Sequence, residues 1–428
     1  MSFLFLDKQR VTWMNVQRFI MLNQRKYLSK FSSALVIAGS IVGLSATELY
    51  AADTVMPKAN ISQTQNNIAA LLPGSMLSLQ LESIPTSYQH ARQRYVITYR
   101  SRGVNGEPIV TSGYILLPKG QAPKQGWPVL AWAHGTTGVA DTCAPSSDYA
   151  GGPVHSLQEV IDGALDSWLM RGYAVIATDY QGLGTPGMHP YMNAASQVYN
   201  VVDSVRALHS WKPKQFSKDW VVMGHSQGGA AAIAVAAQGQ KDAPELNLKA
   251  AIALAPGGYQ YEGIAEYVQT NPNPDTNVAA FFPIVLLGAA AADPSINVDQ
   301  LVSPDMQSLL NQARKRCLSE LQTELKQAPQ PIFKKDADLK PLLSYLKRQS
   351  IEYMKPTVPL MFVQGTADHL VDHRGTQSYY QQVCKQKLPA VHHAIPNGDH
   401  RDALRHSPKY TAEFLKSLEH GSIAKACK

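Results

Sequence analysis

Short apolar runs punctuate the chain from residue 94 onward, and segments with helical spacing separate several of them. Arg94–Arg100 alternates and Ile109–Leu117 runs apolar, with Asn105-Gly106 between them. That dipeptide favours the tight turn of a β-hairpin. Pro128–Ala133, Tyr173–Thr178, Trp220–Met223, Ala250–Leu254, Pro359–Val363 and Ala390–Ile395 follow. Most are of buried-strand length and bounded by Gly, Asp or Pro. Helical spacing fills Ser156–Arg171, Asn193–Trp211 and Gly228–Gln238. A hairpin followed by alternating strands and helices predicts an α/β sheet, mostly parallel, with antiparallel strands at its start.

The alternation breaks once. Roughly 100 residues separate Leu254 from Pro359, too many for a loop inside a compact domain. They hold helix-like segments (Asp305–Lys326 and Leu339–Tyr353) and Pro-rich joints (Asn271-Pro272-Asn273-Pro274 and Pro329-Gln330-Pro331). A helical cap inserted into the sheet domain is the expected reading. The expected organisation is a leader over 1–52, a first core part over 53–257, the cap over 258–355 and a second core part over 356–428.

The leader changes how charge is read. Cations stop at Lys30, an apolar stretch runs from Ala34 to Leu44, and small residues lead to Ala51-Ala52. This is the pattern of a secretory signal peptide with cleavage after Ala51 or Ala52. Its charged region is long, and Met21 would begin a more ordinary leader. The rival reading, an uncleaved anchor, meets an apolar run short for a bilayer span. Residues 1–51 carry a net +4 of the formal +7, leaving a mild +3. That gives no reason to expect nucleic acid as a partner. With 45% hydrophobic and 17% charged residues, disorder of the whole chain is excluded. Export to the periplasm or medium permits disulfides. Cys143, Cys317, Cys384 and Cys427 allow three connectivities. Cys143–Cys317 with Cys384–Cys427 is the expected one.

Candidate chemistry sits at Gly224-His225-Ser226-Gln227-Gly228. An apolar strand precedes this Gly-x-Ser-x-Gly, and the Ala-rich start of a helix follows it. Strand, sharp turn and helix form the context a nucleophile elbow needs. The turn requires small neighbours, and the helix N-terminus favours a nearby oxyanion. A serine hydroxyl needs a base, usually an oriented histidine. The acid and then the histidine should follow, each after a strand. Asp368 stands just after Pro359–Val363, and His400 just after Ala390–Ile395. Ser226 is thus the expected nucleophile, His400 the base and later acid, and Asp368 the carboxylate that orients the imidazole. Asp372 is the rival acid, and His392 and His393 are rival bases inside the strand. Asp368-His369-x-x-Asp372-His373 forms a loose cluster without a clear metal template. No metal or organic cofactor is expected.

The oxyanion hole needs two backbone amides. Gln227 should supply one. Thr136, in Ala133-His134-Gly135-Thr136-Thr137-Gly138, should supply the other, with its hydroxyl as a further donor. His134, Gly135 and Tyr180 are expected at the substrate pocket. Asp179, in Asp179-Tyr180-Gln181-Gly182-Leu183-Gly184, is expected to stabilise loops.

With these motifs in view, the chain resembles an α/β-hydrolase of the secretory lipase family. The resemblance runs from about Gly74 to the C-terminus. Ala131–Gly138, Ala177–Gly184 and the Gly-His-Ser-Gln-Gly-Gly elbow carry it. It implies carboxylester hydrolysis, often of triacylglycerols, and a helical cap between nucleophile and acid. It places Ser226, Asp368, His400 and Gln227 in the family's roles. Related hydrolases often carry Val-Pro after the acid, whereas here Asp372 follows Val371. The expected partner is an ester or lipid substrate, with transient lipid-interface contact, and the expected state is a monomer. The apolar run Ala279–Leu287 suits an acyl channel, a lid or plain cap core. Acyl transfer by the same triad, esterase action on short-chain or polymeric esters, and binding without turnover are the competing readings.

Overall fold

The computed structural model describes residues 68–271, 275–421 and 427. The expected leader over 1–52 lies outside the described residues, as does Pro272-Asn273-Pro274 of the first Pro-rich joint. The strands are β1 (Met76–Glu82), β2 (Ala91–Arg102), β3 (Pro108–Pro118), β4 (Trp127–Ala133), β5 (Ala174–Thr178), β6 (Phe216–His225), β7 (Asn247–Leu254), β8 (Leu360–Gly365) and β9 (Ala390–Ile395). The helices are α1 (His155–Met170), α2 (Ala194–Trp211), α3 (Gln227–Asp242), α4 (Gly263–Thr270), α5 (Thr276–Ala279), α6 (Phe282–Ala292), α7 (Val298–Leu301), α8 (Pro304–Ala313), α9 (Leu318–Glu324), α10 (Lys340–Gln349), α11 (His373–Lys385) and α12 (Asp402–Glu419).

The strands form one sheet in the order β1-β2-β3-β5-β4-β6-β7-β8-β9. β1, β2 and β3 are antiparallel, β3 pairs antiparallel with β5, and every pair from β5 to β9 is parallel. Strand order reverses between β4 and β6. In open α/β sheets the carboxyl ends at such a reversal frame the ligand site.

Alternation along the strands feeds two cores. Val129, Ala131 and Ala133 of β4 point to one face with Trp220 and Val222 of β6, beside α2 and α3. Leu130, Trp132, Val221 and Met223 point to the other, beside α1 and α12. Being buried on both faces explains why these strands read as continuous apolar runs.

The segment between β7 and β8 contains α4–α10, although β7 and β8 pair directly. Its apolar residues, including Ile284, Leu286, Leu310 and Leu346, join the same buried cluster as α2 and α3. The run Ala279–Leu287 is mostly core: Phe282 to Leu287 are buried in α6.

Four expectations about elements need correction. β1 was not foreseen; its residues are mostly half-buried, and it is held by pairing with β2. The single helix expected over Asp305–Lys326 is two, α8 and α9. Cys317 is extended (φ −88°, ψ 164°) because it pairs with Gly138 and is disulfide-bonded to Cys143. The helix expected over Leu339–Tyr353 ends at Gln349, where Ser350 turns extended and accepts a bond from the Tyr261 amide, 2.9 Å. α11 and α12 were also not foreseen, although both are amphipathic. Both expected disulfides, Cys143–Cys317 and Cys384–Cys427, are present.

Candidate active site

Ser226 sits between β6 and α3 with φ 57° and ψ −115°. A positive φ is costly for a residue with a side chain and persists only where the surroundings impose it. Here the Ser226 amide donates to the Leu254 carbonyl (2.9 Å), and its carbonyl accepts from Ala230 (3.1 Å) and Gly257 (3.2 Å). The flanking glycines are a packing requirement. A Cβ on Gly224 would lie 2.0 Å from the Gly228 carbonyl oxygen, and one on Gly228 would lie 1.8 Å from that of Ala133. The turn therefore fits against β4 only without side chains there.

His400, in the loop after β9, donates from Nδ1 to Asp368 Oδ2 at 2.7 Å. The Asp368 side chain is fully buried, and that of His400 is nearly so. Asp368 Oδ1 accepts from the Leu370 and Val371 amides, both at 2.9 Å. Gln364 Nε2 donates to Oδ2 at 2.7 Å, and Gln364 Oε1 accepts from the Thr376 hydroxyl at 2.9 Å. Four donors thus meet the buried carboxylate, as a buried charge requires. With Nδ1 donating, Nε2 is left as the basic nitrogen.

The rival acid Asp372 lies elsewhere. Its half-exposed carboxylate caps α11 at the Arg374 amide and pairs with the Arg374 guanidinium, which lowers its pKa. His392 and His393 lie in β9, where burial lowers both, His392 to about 4. Among the described residues no three His, Cys, Asp or Glu side chains gather as a metal ion would need.

Ser226 and His400 line one cavity with Gly135, Thr136 and His225. Apolar side chains from α1 (Leu157, Ile161), Phe281, Leu318, Leu370 and Leu404 complete much of its wall. Gln227 is the first residue of α3, and its side chain is buried against His189 (3.1 Å). The Thr136 hydroxyl is paired with Tyr191 Oη at 2.8 Å, so of the two donors expected there the hydroxyl is already engaged. His134 and Tyr180 are buried behind the cavity wall. Tyr180 Oη donates to the His134 carbonyl (3.1 Å), and the His134 ring bonds the carbonyls of Gly135 (2.6 Å) and Asp179 (3.2 Å). Asp179 accepts from Ser112 (2.6 Å) and from the amide and hydroxyl of Ser146 (2.9 and 2.5 Å), tying the loop after β5 to strand β3 and to the turn at Ser146. Burial pushes Asp179 up and His134 down.

Two contributors escaped the sequence reading. Gln364 is a fully buried polar residue at the end of an apolar strand, and that oddity was its signal. His225 stands inside the elbow motif, where only the neighbouring serine drew attention.

The secretory lipase family model matches residues 157–400, more than half of the chain. The chain belongs to the secretory lipase family. It is accordingly a carboxylic ester hydrolase. Solved structures carry the same α/β-hydrolase fold. Lipase A of Candida antarctica in its closed state superposes with a TM-score of 0.71 at 16% identity, covering 83% of this chain and 84% of that one. The rice cell wall degrading esterase LipA of Xanthomonas oryzae gives 0.65 at 18%, covering 83% and 98%. A putative hydrolase of Legionella pneumophila gives 0.61 at 22%, covering 76% and 89%. No curated protein matches this chain in sequence.

Proposed function

We propose that this member of the family is an exported, monomeric serine hydrolase that cleaves fatty-acyl esters, acylglycerols among them, through an acyl-enzyme. The Asp368–His400 bond of 2.7 Å, at a cavity also lined by Ser226 in its strained turn, carries this reading. Ser226 Oγ attacks the ester carbonyl while His400 Nε2 takes its proton. The oxyanion rests on the Gln227 and Thr136 amides at the N-terminus of α3. His400 returns the proton to the departing alcohol. Water then enters by the same route, with His400 as base, and releases the acid. Asp368 stabilises the imidazolium in both halves.

The apolar cavity wall supports an acyl chain as occupant. The Candida antarctica neighbour is a lipase and the Xanthomonas neighbour an esterase that degrades rice cell wall. The two disulfides suit an oxidising compartment. No helix among the described residues is long and apolar enough to cross a membrane.

The test is hydrolysis of p-nitrophenyl esters from acetate to palmitate by purified mature protein, with Ser226→Ala as control. Turnover that vanishes in the control supports the serine mechanism, and the chain-length optimum divides lipase from esterase. Equal rates in both proteins would sink the nucleophile. Turnover that needs an added acceptor alcohol would move the assignment to acyl transfer.

A further inference from the structure

Two buried polar groups on the cavity wall have no use in the mechanism above. Gln158, on α1, is 6% exposed, and its Nε2 is buried with no hydrogen-bond partner. Thr137, next to Thr136, is 2% exposed, and its hydroxyl is likewise buried and unpaired. Both line the cavity that holds Ser226 and His400. Buried amides and hydroxyls are nearly always paired, because an unpaired one forfeits its bonds to water. Other polar groups around the cavity obey that rule: Thr136 is paired with Tyr191, and His225 with the His400 carbonyl. Leu157, Val160 and Ile161 from the same helix and Leu404 line the same cavity.

We propose that Gln158 and Thr137 form a specificity site for a free hydroxyl on the ester substrate, an inference that rests on the reading of this cavity as the ester site. A hydroxyl is the group that fits both partners. It accepts from an amide N–H, donates to an amide oxygen, and either gives to or takes from the threonine hydroxyl. A plain hydrocarbon chain entering the same space would leave both groups unpaired. A site built to bond a hydroxyl discriminates against the analogue without one far more than an apolar pocket discriminates by size. The hydroxyl can belong to the acid part, as in a hydroxy-fatty acyl ester, or to the alcohol part, as in a partial glyceride. The chemistry at Gln158 and Thr137 is the same, so the test separates the sources.

Four esters serve as probes: ethyl hexanoate, ethyl 3-hydroxyhexanoate, ethyl 6-hydroxyhexanoate and monohexanoylglycerol. Acid release is followed by titration at constant pH. In the wild type, kcat/KM for at least one hydroxylated ester is expected to exceed that for ethyl hexanoate by about tenfold or more. Preference for a hydroxyhexanoate assigns the acid side, and preference for the glyceride the alcohol side. Gln158→Met, which keeps the volume and loses the amide, brings the ratio close to one, and Thr137→Val lowers it. A purely structural Gln158 would change stability without moving this ratio. No preference among the four esters in the wild type overturns the proposal, as does a preference that survives Gln158→Met. If Gln158→Met fails to fold, the wild-type ratio and Thr137→Val decide. Unchanged rates on all four esters in Ser226→Ala would instead overturn the serine mechanism, an outcome separate from the hydroxyl preference.

Discussion

His225 donates its Nε2–H to the backbone carbonyl of His400 at 3.0 Å, with the two rings 4.5 Å apart. The residue before the proposed nucleophile therefore holds the chain that carries the proposed base. Burial and the neighbouring His400 keep the pKa of His225 well below 6.5, so it acts as a neutral donor. Misplacing a reacting group by about 1 Å can cost ~100-fold in rate. His225→Phe is expected to lower kcat by roughly 10- to 100-fold with little change in KM, and His225→Gln to recover part of the loss. Equal kcat in the wild type and His225→Phe would deny the positioning role.

Asp368 and Asp372 make opposite predictions. Asp368→Asn removes the charge beside His400 and forces the amide to compete for its Nδ1–H. Its kcat is expected to fall by about 10⁴, the scale for the acid of a serine triad. Asp372→Asn keeps the capping oxygen and loses only the exposed pairing with Arg374 and His373, and is expected to keep activity within about twofold with little change in stability. A reversed pattern in steady-state kinetics would make Asp372 the acid.

Gly228→Ala tests the elbow as a packing device. The added methyl would sit 1.8 Å from the Ala133 carbonyl oxygen, backbone that cannot step aside. A loss of at least ~3 kcal/mol is expected, at the upper end for overpacking, together with the loss of ester hydrolysis. Denaturant unfolding that leaves the midpoint unchanged would refute the close approach.

The disulfides should separate in both stability and activity. Cys143–Cys317 closes 174 residues, and Cys384–Cys427 closes 43. By loop-closure entropy the longer loop contributes about 1 kcal/mol more. The Cys143 bridge also holds Gly138 and α9 beside the Thr136 loop, with the Leu318 amide donating to the Thr137 carbonyl at 2.8 Å. Cys143→Ser/Cys317→Ser is therefore expected to lose kcat as well as melting temperature. Cys384→Ser/Cys427→Ser should lose melting temperature alone. Paired kinetics and thermal melts check both.

His189 predicts part of the acid response. Burial lowers its pKa to about 3, while its ring bonds the Gln181 carbonyl and receives Gln227. A histidine whose folded pKa is depressed binds its proton mainly when unfolded. Its contribution is intact above pH ~6.5 and drains away as pH falls from there toward ~3, by up to ~1.4 kcal/mol per pH unit. His189→Gln keeps a donor and an acceptor without the titration. Its unfolding free energy should fall less steeply between pH 6.5 and 4 than that of the wild type. Parallel curves would show that His189 does not titrate in this window.

Much of the candidate site was legible because its signals are local. A strand, a Gly-x-Ser-x-Gly turn and a helix lie in consecutive residues, and Asp368 and His400 each follow an apolar run directly. The cavity wall was not legible. Gln158 looks like any polar residue on an amphipathic helix until α1 packs beside the Thr136 loop. β1 carries weak burial of its own and gains its strand form from pairing with β2.

The sequence by itself determined most strands of a mostly parallel sheet, the strand–turn–helix at Ser226, and the placing of Asp368 and His400 each after a strand, because each depends on periodicity and turn chemistry over a few residues. Only the tertiary structure decided that Asp368 rather than Asp372 meets His400, that Cys317 interrupts a helix, that His225 braces His400, and that Gln158 and Thr137 share a wall with Ser226. Those relationships join residues far apart in the chain, and they exist only once burial and the strand order bring the segments together.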